Sequence, residues 1–572
     1  MRDASYFTRP KSEWRRRYEA LRASFVERLP ARVVAERFGY TPAYVNLLRH
    51  LFRSGKIDFD ELATQGGNGR RRVTAEVRAL IKAYREQHLS GGEIAELLSE
   101  QGHEVSVRTV ERVLAEEGFP RLPRRTALKA GLTVKGALVP EKAEPLELEA
   151  LDGKGFESPA AGVFLFAPFI KQLDLESIVK HAGLPGSQQI PATNYLLAFL
   201  AVKLLGTERF SHVGDHAFDA GLGLFAGLNC LPKCTALSTY AYGLDDLHIS
   251  RLQEAFVRRA YRLGLYDGSV VNLDLHAVPH HAGESVLERQ WVGARGRRMK
   301  AALTLFSQDA SSKLLLYTSA DIVRQEASEQ AVKFLAFWRK IRRKVRPTLV
   351  FDSRFSNYQS LSELNSQGVK FITLRRRGER LLEEAEALTE WRRIHIPHAK
   401  RKYPYPEVHE STVRVRNYEG ELRQVIVRGH GREKPAFLLS NDFDMPVELL
   451  VGHYARRWRV ENGIAEAVNF FHLNALSSPI LTKVHFDLVL TMMADTLYGM
   501  LARQLRGYEE CHAPKLYRHF VTGGGTVSVK GDQVTVAYPK KAHNPILRRV
   551  NWSRLPKDLT LPPKAKLTLR FG

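Results

Sequence analysis

The stretch YARRWRVENG, Tyr454 to Gly463, sets an acid behind a run of arginines. On a helix each residue advances about 100°, so Arg457 lies about 300° and Glu461 about 340° from Tyr454, and the three share one face. The ordinary meaning of such a face is a solvated, salt-bridged surface. Two other acids stand where they could join Glu461. In SVVNLDLHAV the pattern alternates, with Val271, Leu273 and Leu275 on one side and Asn272, Asp274 and His276 on the other, as in a strand. PTLVFD reads as a short, fully apolar strand that ends on Asp352. Adjacent strands lie about 4.8 Å apart, so Asp274 and Asp352 share a sheet edge if their strands are neighbours, and Glu461 reaches it if its helix packs there. Three carboxylates that close resist ionising without a cation. Hard divalent ions take such oxygen ligands, and two of them about 3.5–4 Å apart activate a water or hydroxyl and stabilise the leaving oxygen of a phosphoryl transfer. Glu466 is the rival third acid, but at about 120° from Tyr454 it faces elsewhere.

The elements that must position these residues follow from the pattern along the chain. With 572 residues and 44% hydrophobic residues, there is material for several cores. A net charge of +24 and a pI of about 9.9 point to a polyanionic partner, nucleic acid first. No apolar run of about 18 residues appears, so no membrane partner is expected, and the Met1 end carries no apolar leader core. Three cysteines fit a reducing cytoplasm, and Cys230 and Cys234 read as ordinary thiols, not a zinc site. The expected fold is multidomain α+β. Residues 1–65 read as a helix-turn-helix-like region, with Thr41 as N-cap and Pro42 at the first helical position. Residues 70–122 repeat the layout behind the basic stretch TQGGNGRRR, with Ser90 and Ser106 as caps and Gly102 and Gly118 as stops. Arg108, Thr109 and Arg112, at the start of its last helix, could reach a DNA groove. Residues 123–158 read as a linker and 159–266 as a helical scaffold. From 267 to 505 the order is a three-stranded antiparallel meander, helix, strand, helix, strand, a basic strand-rich insertion at about 376–440, then the helix that holds Glu461. Residues 506–572 form a C-terminal extension with short strands.

The blocks NLDLHAVPHH, LVFDSRFSN and YARRWRVENG, in that order, resemble the three catalytic blocks of DDE transposases of bacterial insertion sequences. The branch is the one with a Tyr-x2-Arg-x3-Glu signature and a β-rich insertion before the last acid. The likeness runs from about residue 160 to near the C-terminus, including HNPILRRV. It implies an RNase H-like catalytic core, with Asp274, Asp352 and Glu461 as catalytic residues and ligands of two Mg²⁺ ions, or Mn²⁺ in their place. It implies that Tyr454 and Arg457 contact DNA near the cleaved phosphate. The activity implied is binding of terminal inverted repeats, strand cleavage and strand transfer. The partners implied are double-stranded element ends and target DNA, with a homodimer in the DNA complex, in the cytoplasm at the nucleoid. One position departs from the pattern. The family signature continues with a lysine seven residues after the glutamate, and here that residue is Val468. His472 shares the face but lies roughly 16 Å along the axis from Glu461. A catalytically silent DNA-binding descendant and a metal-dependent nuclease without strand transfer therefore stay open.

Three weaker candidates remain. His276 shares the Asp274 face and could touch the scissile phosphate, or be a satisfied structural histidine; with His280 and His281 it also suggests a zinc site. Trp391 is the single tryptophan of the insertion and could stack on a base flipped from the duplex end, or simply pack. RGRRMK, ahead of the second meander strand, is a candidate phosphate contact or a solvated surface.

Overall fold

The computed structural model describes residues 7, 10, 12–57, 59, 73–87, 89–119, 140–281, 286–320, 322–343, 346–355, 357–396, 403–475, 478, 480–563 and 565–572. They fall in two compact units, Met1–Leu138 and Val139–Gly572. TQGGNGRRR and residues 123–139 of the expected linker lie outside the described residues.

The first unit contains two small helical cores. Helices α1 (Glu13–Phe25), α2 (Ala31–Phe38) and α3 (Pro42–Arg53) enclose Ala20, Val34, Phe38 and Val45. Gly39, at φ 70°, ends α2 in the left-handed region that favours glycine. Thr41 caps α3, its hydroxyl accepting the Tyr44 N–H at 3.2 Å, with Pro42 at the first position. Helices α4 (Ala75–Glu86), α5 (Gly91–Glu100) and α6 (Val107–Glu116) enclose Ile81, Ile94, Leu98, Val110 and Val113. Ser90 and Glu93 form a reciprocal capping box, Ser106 caps α6, and Gly102 and Gly118 take positive φ just past α5 and α6. Arg108 and Arg112 are exposed on α6, while the Thr109 hydroxyl is engaged with that of Ser106 at 3.0 Å.

In the second unit the chain packs from residue 140 onward. Ala143 and Leu148 are buried, and β1 (Gly155–Ser158) is a strand, so the later part of the expected linker belongs to the core. A helical region follows, including α7 (Ala192–Leu204), buried around nearly its whole circumference, and the amphipathic α8 (Asp246–Arg262). The central sheet then forms from β2 (Val270–Pro279), β3 (Arg289–Val292), β4 (Arg297–Asp309), β5 (Leu315–Ser319), β6 (Thr348–Val350) and β7 (Phe371–Leu374). β5, β4 and β2 are antiparallel neighbours, while β2–β6 and β6–β7 are parallel. β3 pairs with β4 as an extra edge strand that the sequence reading did not separate from the meander.

The insertion contributes β8 (Arg392–Arg393), β9 (Glu407–Val413), β10 (Leu422–Arg428) and β11 (Ala436–Ser440). The expected hairpin is there, β9 antiparallel to β10. The insertion is not a sheet of its own, however. β11 pairs with β7, so the central sheet continues as β7–β11–β10–β9–β8. Left unpaired, β7 would expose a row of backbone groups beside apolar side chains. β11 covers it, and Ile372, Val425, Val427 and Leu438 join Leu450 and Val451 in one core.

Helices α9 (Gln330–Ile341), α10 (Tyr358–Ser366), α11 (Val447–Arg456), α12 (Trp458–Asn469) and α13 (Leu481–Gln504) complete the unit. The C-terminal strands β12 (Gly525–Lys530), β13 (Gln533–Tyr538) and β14 (Lys566–Phe571) form a second sheet with β1, in the order β1–β12–β13–β14. Among the described residues no helix is long and apolar enough to cross a membrane.

The scaffold is tied to α13 by one buried charge pair. Lys203 Nζ lies 2.8 Å from Asp487 Oδ1 and donates to the Phe471 carbonyl at 3.0 Å. Removing one partner strands the other, which costs about 3–5 kcal/mol, whereas replacing the whole pair by apolar residues of similar volume is often neutral. Asp487→Ala is therefore expected to lose about 3–5 kcal/mol in urea unfolding, and Lys203→Met with Asp487→Leu much less. A single variant as stable as the parent would show that this pair does not hold the scaffold.

Candidate active site

β2 and β6 run parallel, with Val271 opposite Leu349 and Asn272 opposite Val350. The pairing ends there, and Asp352, two residues further on, is close enough for its charge to act on Asp274. β6 stops at Val350, short of the sequence expectation, and the Asp352 carboxylate accepts the N–H of Arg354 at 2.8 Å to open a turn. Along β2, Asp274 and His276 stand opposite Phe306 and Thr304 of β4, on the face where α12 packs.

The helix expected to carry YARRWRVENG is interrupted at Arg457. The Arg457 N–H bonds the Tyr454 carbonyl and the Val460 N–H bonds the Arg457 carbonyl, each at 3.0 Å, a tightened turn between α11 and α12. Tyr454, Arg457 and Glu461 still meet. Arg457 Nη1 lies 3.4 Å from Asp274 Oδ2, Nη2 donates to Glu461 Oε1 at 2.5 Å, and the guanidinium sits 5.8 Å from the Tyr454 ring centroid. The side chains of Arg457 and Asp274 are each 14% exposed, and that of Glu461 is 51% exposed. In place of a solvated surface pair, Arg457 is a mostly buried bridge from Asp274 to the half-exposed Glu461. Arg457 Nε is buried with no acceptor among the described residues.

The electrostatics follow from this packing. Burial first, then the nearby charges of Asp352 and Glu461, push the Asp274 carboxyl up to about 6 against the pull of Arg457. Burial opposes the Arg457 charge, but Tyr454, Asp274, Glu461 and Asp352 outweigh it and hold the guanidinium above its ordinary value. Burial raises the Tyr454 phenol to about 12, against the pull of Arg457. Among the described residues, no three His, Cys, Asp or Glu side chains are gathered as a ready cation cage, and Arg457 lies between Asp274 and Glu461. The donor set fits a hard divalent ion nonetheless. It is all carboxylate oxygen, and the ionised form of Asp274 is disfavoured without further positive charge.

The neighbouring residues sort themselves by their bonds. Arg456 Nε donates to the Gly452 carbonyl at 3.1 Å and Arg459 Nη1 to the Ala310 carbonyl at 3.2 Å, so both leave the shared face. Glu466 accepts the Ala513 N–H at 2.6 Å and pairs with His512 at 2.9 Å, away from the aspartates. His276 Nε2 lies 3.0 Å from Asn474 Oδ1, and burial holds the ring below its ordinary value, favouring the neutral form. Val468 packs among apolar side chains. Trp391 is not brought to the acids. Its indole N–H donates to the Leu388 carbonyl at 2.9 Å and Arg428 stacks on its ring at 4.0 Å. It adjoins β8, six strand spacings from β2, roughly 29 Å across the sheet. Arg108, Thr109 and Arg112 belong to the other unit. Sequence reasoning missed Asn474, whose single amide in a short turn carries no pattern. It also missed Arg354 and Arg376, which the sheet places beside Arg298 of RGRRMK.

Residues 314–497, under half of the chain, match the family model of the transposase DDE domain. That stretch contains Asp352 and Glu461 and begins after Asp274. A cryo-EM structure of a piggyBac transposase synaptic complex with hairpin DNA is similar over 67% of this chain and 82% of that chain, at 11% identity and a TM-score of 0.35. No curated protein matches the chain.

The Arg457 bridge sets an energetic expectation. Losing a charged partner in a mostly buried site costs about 1–3 kcal/mol, so Arg457→Ala should be destabilised by that amount, more than an exposed pair would be. Asp274→Asn should recover part of it. Urea unfolding of the two single variants and the double variant tests this, and additivity within about 0.5 kcal/mol would mean that the two side chains are not coupled.

Proposed function

We propose that this chain is a DDE transposase of the insertion-sequence type. It binds the terminal inverted repeats of its element, cuts the DNA strand and joins the freed end to target DNA. The observation that carries the reading is Asp274 on β2, tied through Arg457 to Glu461, with Asp352 just beyond the end of the parallel neighbour β6 and close enough for its charge to act on Asp274. The match of residues 314–497 to the transposase DDE domain supports it. So does the strand order β5–β4–β2–β6–β7, antiparallel and then parallel, which agrees with an RNase H-like core.

Asp274, Asp352 and Glu461 would hold two divalent ions, Mg²⁺ or Mn²⁺. When bound, such ions supply a nucleophile at neutral pH and stabilise the leaving oxygen. The chain's own side chains do the positioning. Arg457 offers its planar fork to the phosphate at the cut, with Tyr454 packed beside the guanidinium. His276, neutral and held by Asn474, is a further DNA contact on the Asp274 face. Water attacks the phosphodiester and releases a 3′-hydroxyl, and that hydroxyl then attacks a phosphodiester of the target. Arg108, Thr109 and Arg112 would read a groove from a helix-turn-helix-like unit, and Trp391 would contact DNA from the end of the sheet. The working form would be a homodimer on DNA, in the cytoplasm at the nucleoid. A second reading, a silent DNA-binding descendant, draws on Val468, which packs in the core where the family carries a lysine.

Asp274→Ala, Asp352→Ala and Glu461→Ala are each expected to abolish cleavage of end DNA in Mg²⁺ while retaining end binding, with Glu466→Gln as an active control. Cleavage at the parental rate in any one of the three removes that residue from the site. A parent that binds ends without cutting them supports the silent reading, and cut ends without joined products support a nuclease.

The unit Met1–Leu138 is expected to bind duplex DNA alone, each phosphate contact contributing about −0.9 to the log–log salt slope. Arg108→Ala should flatten the slope by about one such contact. A folded fragment that ignores DNA at low salt would make this unit a protein-interaction module.

A further inference from the structure

Beyond the carboxyl ends of β6 and β7, on the far side of the Asp352 turn, lies a concavity of about 200 Å³. Its floor is apolar, formed by Leu275, Ala277 and Leu303. Its rim carries four arginines from four separate places in the chain. Arg298 is the second residue of β4, Arg324 begins a short 3₁₀ turn, Arg354 follows Asp352 by two residues, and Arg376 follows β7 by two. Trp291 of β3 closes the rim directly across from Arg298 in the β3–β4 register and is 54% exposed.

Among the described residues none of the four guanidiniums pairs with a carboxylate. Arg376 donates to the Ser353 carbonyl at 3.5 Å. The acid that adjoins the rim, Glu288, spends its carboxylate on the Arg324 backbone N–H and on Gln290, each at 3.0 Å. Four like charges gathered on one hollow repel one another, and an arriving anion relieves that. The flat planes of the guanidiniums suit a phosphodiester. The hollow is smaller than a site for a drug-sized molecule, so it takes one unit of a polymer. An exposed indole beside a phosphate-binding rim is a surface on which a base stacks. The crevice outside the carboxyl ends of parallel strands, where the strand order turns, is where open sheets bind ligands.

We propose that this hollow holds one unpaired nucleotide of a DNA strand, its phosphate among Arg298, Arg324, Arg354 and Arg376 and its base on Trp291. The proposal rests on the transposase reading for its substrate and assigns that reading a second contact beside the acids. Leu275, Ala277 and Leu303 of the floor alternate to the face of the sheet opposite Asp274, and the hollow meets the acids at the sheet edge, where the Asp352 carboxylate accepts the Arg354 N–H. Trp291 is thereby a positioning residue for single-stranded DNA at the edge of the sheet beside the Asp352 turn.

The test measures fluorescence anisotropy of a labelled thymidine homopolymer strand and of a duplex of equal length, on the full chain with EDTA present. Trp291→Ala should weaken single-strand binding on the order of tenfold, Trp291→Phe should retain most of it, and duplex binding should change little. Arg298→Ala and Arg324→Ala should each flatten the single-strand salt slope by about 0.7. Circular dichroism checks folding of each variant. Single-strand binding unchanged in folded Trp291→Ala, or equal losses for strand and duplex, would overturn the proposal. The two readings separate cleanly. A parent that cuts DNA while the variants bind strands normally removes the hollow and keeps the transposase. A parent that never cuts DNA, with the expected loss in Trp291→Ala, keeps the hollow and removes the transposase.

Discussion

Everything at this site depends on holding two aspartates close together when one of them, Asp274, is mostly buried. Asp274 and Asp352 come close because β2 and β6 are parallel neighbours, and burial, with the neighbouring acids, lifts the Asp274 carboxyl to about 6. Repulsion between like charges grows as the surroundings lose water. The fold answers with a guanidinium placed between acids. Arg457 touches Asp274 and Glu461 together and is itself mostly buried, with Tyr454 packed beside it. The break between α11 and α12 falls at this same residue.

That arrangement holds only if α12 cannot slide, and α12 is fixed at both ends and behind. At its start, Gln308 of β4 donates to the Arg459 carbonyl at 3.2 Å. Near its end, Glu466 accepts the Ala513 N–H at 2.6 Å from the segment after α13. Just beyond it, Lys203 of α7 holds the Phe471 carbonyl while paired to Asp487 of α13. The helical scaffold, the central sheet and the C-terminal segment therefore all bear on the position of Glu461. A helical region without chemistry of its own thus still serves the acids.

Much of this was legible from local pattern. Strict alternation in SVVNLDLHAV located β2 and the face of Asp274, and an unbroken apolar PTLV located a strand buried on both faces. Thr41, Ser90 and Ser106 act as caps because a short hydroxyl ahead of a helix answers an orphan N–H. What pattern could not carry was long-range pairing. Nothing local in AFLLS tells that β11 closes the edge of β7, so the insertion read as a separate body. RGRRMK read as a basic surface because its alternation is masked by charge, yet its arginines begin β4. The bond from Arg457 to Asp274 was not legible, because a helical wheel shows which residues share a face and not what is packed against it.

The same limit explains how so basic a chain can place its acids usefully. Among 86 lysines and arginines, a single arginine spacing would signal nothing. Position distinguishes Arg457. A guanidinium has five N–H donors; here Nη1 and Nη2 face the two acids, while Nε is buried without an acceptor. An unmet buried donor is unfavourable in a fold that otherwise satisfies its polar groups. The contact that offsets the repulsion between the acids therefore leaves one guanidinium donor buried with no acceptor among the described residues, a cost the fold accepts to hold two acids with one side chain.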